Sequence, residues 1–99
     1  MRHLNIIGPA VIKLRVERGW SQEILAARLQ CQSANVSRDM LASIETGRTQ
    51  ITDRHIMAFQ KVFGVQIVRL FPKLVQELDE KFAVREAARS LKTSRRHKR

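Results

Sequence analysis

The chain is nearly without cysteine: Cys31 stands alone, so no internal disulfide can form, and a reducing compartment such as the cytoplasm suits it. Long apolar runs are missing as well. None approaches the roughly 18 residues of a bilayer-spanning helix, so no membrane partner is expected. The early pair Ile6-Ile7 is broken by Gly8-Pro9, which leaves too little for a signal peptide. No strand-like alternation of useful length and no internal repeat is present. Absent too are a Ser/His/Asp constellation, a phosphate-binding glycine loop and a paired-carboxylate cleft, which argues against an enzyme. His3, His55 and His97 lack metal-ligand spacing to one another and to Cys31, so neither zinc nor any other cofactor is expected. Cys31 itself reads as a small packing residue. Acids are scarce: 9 Asp+Glu stand against 19 Lys+Arg, a formal charge of +10 that favours an anionic partner.

What is present is an ordinary globular composition, 43% hydrophobic and 28% charged, enough for one domain with one core. The positive charge is uneven. Residues 81–99 carry eight basic side chains and one acid, and the first eighty residues carry 11 against 8. The excess therefore sits in the C-terminal segment, while the body is only mildly positive.

The few glycines and prolines punctuate helices. Pro9 suits a first helical position and Gly19 a left-handed C-terminal one, which predicts a first helix over Pro9–Arg18 with Val11, Ile12 and Val16 on its apolar side. Ser21 is an N-cap, with Trp20 and Leu25 as a hydrophobic staple, so a second helix covers about Gln22–Gln30. Residues 31–35 read as a connection. Ser37 caps a third helix, with Val36 and Leu41 as its staple, and Gly47 closes it. Thr52 caps a fourth, which buries Ile56, Phe59 and Phe63 and ends at Gly64. Val65, Ile67, Leu70 and Phe71 form a short fifth helix stopped by Pro72. Leu74, Leu78 and Phe82 then recur every four residues, predicting an amphipathic sixth helix over Lys73–Leu91. From Lys92 onward the chain is basic, without apolar anchors, and reads as disordered.

Two stretches carry a resemblance. Residues 15–26, Arg-Val-Glu-Arg-Gly-Trp-Ser-Gln-Glu-Ile-Leu-Ala, and residues 36–48, Val-Ser-Arg-Asp-Met-Leu-Ala-Ser-Ile-Glu-Thr-Gly-Arg, stand in this order, followed by Thr52-Asp53 and Phe63-Gly64-Val65. Together they resemble the helix-turn-helix pattern of the phage-repressor (Cro/lambda-repressor, XRE) family, over roughly residues 9–71. The connection between the second and third helices is longer than that family's common spacing and contains no glycine.

The resemblance implies an all-α fold: a lambda-repressor-like five-helix domain over residues 1–71, an added C-terminal helix over 72–91 and a basic tail over 92–99. It implies sequence-specific binding of double-stranded DNA and transcriptional regulation, as a repressor and as a homodimer reading two half-sites. In such a motif the second helix braces on the backbone while the third enters the major groove. Gln22 then matches a phosphate-contacting position. Ser37, Arg38, Asp39 and Ser43 match the groove-facing positions, and Thr46, Arg48 and Gln50 the backbone-contacting loop. Arg15 and Glu45 match a pair that fastens the first helix to the end of the third. Plainer roles stand beside these: Asp39 complements a helix dipole, Ser37 is a cap, and Arg48 is a solvated loop charge. Two other functions also stand. One is a protein-interaction module, such as an antitoxin that holds a partner through residues 73–91. The other is a non-specific nucleic-acid binder driven by the basic tail.

Overall fold

The computed structural model describes residues 3–97, with side-chain surroundings for residues 3–83 and for Arg85. Five α-helices run in the order α1 (Gly8–Glu17), α2 (Gln22–Cys31), α3 (Arg38–Glu45), α4 (Asp53–Phe63) and α5 (Pro72–His97), with a 3-10 turn at Ile67–Leu70 before α5. No strand occurs among the described residues.

The helix starts follow from their caps. Ser21 accepts the Ile24 N–H and Ser37 accepts the Met40 N–H, each at 3.1 Å. At α4 the cap is reciprocal: Thr52 Oγ1 accepts from the His55 N–H, and His55 Nδ1 accepts from the Thr52 N–H. The sequence pattern reveals Thr52 but not the imidazole that completes the box. Gly19 and Gly64 take positive φ after α1 and α4, where a left-handed residue lets the chain turn away.

The core is one cluster. Ile7, Val11 and Leu14 of the N-terminal segment meet Leu25 and Leu29 of α2, Leu41 and Ile44 of α3, and Phe59 and Phe63 of α4, with Val36 and Leu70 closing it. Phe63 stacks between Phe59 and Trp20, at centroid distances of 6.1 and 5.9 Å. The Arg18 guanidinium lies 5.1 Å from the Phe63 centroid and donates to the Phe63 carbonyl, so it also satisfies the C-terminal end of α4.

Four expectations are corrected. The buried face of α1 is Val11 and Leu14, continued back to Ile7, while Ile12 and Val16 are exposed. Positions 7, 11 and 14 lie on one helical face, and 12 and 16 are turned roughly 130° and 170° from its centre. The fifth element is a single 3-10 turn with Ile67 and Val68 facing out, because Gly64 and Pro72 leave too short a stretch for an α-helix. Pro72 not only stops that turn but opens α5, where its missing N–H costs nothing. Third, α5 does not end at Leu91: it continues through Lys92–His97, since nothing after Pro72 breaks it and Ala, Lys and Arg are good helix formers. Of the tail expected to be disordered, residues 98–99 lie outside the described residues. Fourth, Cys31 is exposed at the end of α2 instead of packing.

The start of α1 approaches the end of α3 closely. A Cβ on Gly8 would stand 2.5 Å from the Glu45 carbonyl oxygen and 2.7 Å from that of Ile44, both backbone atoms that cannot swing aside. Gly8→Ala is therefore expected to destabilise by about 2 kcal/mol, the scale of overpacking a tight core. A urea titration reads this directly, and an unchanged midpoint would show that the two helices separate without cost.

Candidate nucleic-acid interface

Three helices are fastened by one carboxylate. Glu45, at the end of α3, is only 4% exposed. Its Oε2 accepts from Arg15 Nε at 2.7 Å, and its Oε1 accepts from Arg15 Nη2 at 3.2 Å and Gln22 Nε2 at 2.8 Å. Arg15 Nη1 donates onward to the Trp20 carbonyl at 2.9 Å. The fork geometry of a guanidinium suits such two-point pairing, and the network fixes how α1, α2 and α3 sit together. Among the described residues no buried side-chain polar atom lacks a partner.

A second clamp was not visible in the sequence. Asn5, 8% exposed, accepts through Oδ1 from the N–H groups of Ile7 and Gly8, at 3.2 and 3.0 Å. Its Nδ2 donates to the carbonyls of Ile44 and Thr49, at 3.1 and 2.8 Å. One amide thus satisfies the N-terminal end of α1, the C-terminal end of α3 and the loop beyond it. The Leu4 N–H adds a bond to the Gly47 carbonyl at 2.8 Å.

Between these clamps α3 turns its polar side outward. Leu41 and Ile44 are fully buried, whereas Arg38 and Asp39 are exposed and Ala42 and Ser43 half-exposed. Ser37 caps at the entrance and Thr46 follows the last turn, also exposed. The Thr46 hydroxyl donates to the Ala42 carbonyl and accepts from Arg48 Nε, both at 2.9 Å, while the Arg48 N–H bonds to the Ser43 carbonyl at 2.8 Å. That loop is therefore held as an extension of the helix.

Ser37, Arg38, Asp39, Ser43, Thr46 and Arg48 thus line one continuous strip, α3 and its end. Gln50 is exposed further along the loop. Gln22 is placed differently, half-buried at the start of α2 with its amide anchored on Glu45. Two neighbours escaped the sequence reading. Ala42 lies at the centre of the strip, four residues after Arg38 and four before Thr46, a spacing that could have revealed it. Glu23 reaches over from α2, with its Oε1 3.8 Å from Arg38 Nε.

The connection that lacks glycine solves its geometry with Ser33, whose φ is +60°. The Ala34 N–H then bonds to the Leu29 carbonyl, and Ala34 and Val36 are buried. Ala34 and Val36 thus anchor the connection on the core, while Gln32, Ser33 and Asn35 stay exposed.

A family model described as helix-turn-helix matches residues 11–70. The chain belongs to the helix-turn-helix family. This makes it a DNA-binding transcriptional regulator of the all-α type. The crystal structure of the clp gene regulator ClgR from Corynebacterium glutamicum is similar, with a TM-score of 0.61 and 20% identity over 90% of this chain and 89% of that one. At that identity the likeness concerns the fold. No curated protein matches the chain. No helix among the described residues is long and apolar enough to cross a membrane.

Proposed function

We propose that the protein is a sequence-specific binder of double-stranded DNA that works in the cytoplasm as a two-fold dimer and represses by occupying promoter DNA. The observation that carries this reading is the outward strip of α3, polar except for Ala42 at its centre and braced from beneath by Glu45 and Asn5. A helix of this width fits the major groove, about 12 Å across. Arg38 offers two donors to a guanine edge, Asp39 an acceptor to cytosine N4, and the Ala42 methyl an apolar contact for a thymine methyl. Ser37 and Ser43 supply hydroxyls. Thr46, Arg48 and Gln50 lie where the helix end meets the sugar-phosphate ridge, and Gln22 meets the opposite ridge from the start of α2.

Selection of fragments from random duplex DNA at near-physiological salt tests the reading. A recovered palindrome is expected, with half-sites one helical turn apart, about 34 Å. Enrichment of no sequence, with affinity falling steeply as salt rises, would show a non-specific basic binder instead. On the recovered site, Arg38→Ala is expected to cost about 1–3 kcal/mol and to relax base preference at one position. An equal loss on every sequence would make Arg38 a phosphate contact.

A further inference from the structure

Helix α5 begins against the 3-10 turn and leaves the body: the molecule extends 64 Å along its longest axis and 31 Å across the next. On it Leu74, Leu78 and Phe82 are 41%, 55% and 61% exposed. At the base of this stripe lies a cavity of about 300 Å³, mostly apolar, lined by Ile6, Pro9, Ala10, Phe71 and Leu74 with Glu77 at its edge. Three large exposed apolar side chains in one line, ending at an apolar hollow, form a surface that water covers unfavourably.

We infer that this surface is covered by α5 of a second copy of the chain, laid antiparallel across the first with the two-fold axis at Leu78. The stripe is symmetric about its middle residue. With the axis there, Leu78 meets Leu78, and Leu74 of each copy meets Phe82 of the other. Each Phe82 ring then stands over the hollow beside Leu74. The charges select the direction. Arg85 continues the stripe and Lys81 flanks it, and both are exposed. A parallel pair in register would bring Arg85 against Arg85 in the seam itself. The antiparallel pair moves the two Arg85 residues to opposite ends of the seam and sets Lys81 of one copy within a turn of Glu77 of the other, on the same flank. This deepens the two-fold reading of the function by naming its seam, and it concerns self-association, which is measured without DNA.

Sedimentation equilibrium of the full chain should show a dimer at micromolar concentration. Leu78→Lys should make it monomeric with an unchanged circular dichroism spectrum, because the position is exposed and the two new charges would meet at the axis. Direction is read by oxidative cross-linking in a Cys31→Ser background. Leu74→Cys protein mixed with Phe82→Cys protein should cross-link, and neither alone should. A monomeric wild type, a dimer indifferent to Leu78→Lys, or cross-linking of each variant with itself would overturn the proposal. Loss of dimer with retained half-site preference in Leu78→Lys would separate this seam from the DNA-reading strip. A dimeric protein without sequence preference would sink the DNA reading and leave the seam standing.

Discussion

Arg15→Met is expected to destabilise the protein by about 3 kcal/mol, because it strands a carboxylate that cannot reach water. Glu45 is 4% exposed and would keep only the Gln22 amide as a partner. Removing one member of a buried ion pair costs roughly 3–5 kcal/mol, and the low end applies here because the Arg15 side chain retains 16% exposure. For a domain of this size each kcal/mol is worth roughly 4–8 °C, so the thermal midpoint should fall by roughly 12–24 °C. The cause is tested by a double-mutant cycle. Arg15→Met combined with Glu45→Leu should be less damaging than the sum of the singles, by about 1–3 kcal/mol, since no buried charge then remains. Additive losses would mean that the two side chains contribute by packing alone. The pair also positions Gln22, so weakened DNA binding is expected well below the unfolding temperature.

The second large effect is expected at Asn5. Asn5→Ala deprives two N–H groups at the start of α1 and the Thr49 carbonyl of their partner at once, and leaves the Ile44 carbonyl with only the Gly47 N–H. Each buried polar group left unmet costs about 1–3 kcal/mol. Water entering the small gap would recover part of this, leaving a loss of about 3 kcal/mol in a urea titration. Asn5→Asp separates the two halves of the clamp. It keeps an acceptor for the Ile7 and Gly8 N–H groups but faces the two carbonyls with a carboxylate. Amide exchange at Gly8 should stay slow in Asn5→Asp while the loop over residues 46–50 loosens and DNA affinity drops. Equal exchange at Gly8 in both variants would show that Asn5 does not hold the start of α1.

The caps, staples and glycine stops of α2, α3 and α4 were legible because each rests on local chemistry: a hydroxyl one position before a helix, or a glycine one position after it. The outward strip of α3 was legible for a related reason, since Leu41 and Ile44 define the buried face and the polar residues occupy the other. Where local rules had nothing to weigh, the reading went astray. Ile12 and Val16 are as apolar as Val11 and Leu14, and only the position of Ile7 on the core shows which pair turns inward. Ser33 gives no sign in sequence that it adopts a left-handed conformation, which its neighbours impose to bring Ala34 and Val36 onto the core. Asn5 looks like an ordinary polar residue in an N-terminal segment, because every group that it satisfies beyond its own turn is at least 39 positions away.

Helix identity, the polar strip and the family resemblance were thus determined by the order of residues, since caps and periodicity act within a turn or two of chain. Tertiary structure alone decided how those helices are fastened. Glu45 gathers Arg15 and Gln22, Asn5 joins α1 to the far end of α3, and the body leaves Leu74, Leu78 and Phe82 uncovered. Such contacts depend on distances across the core, and the chain has no way to express these until the helices have packed.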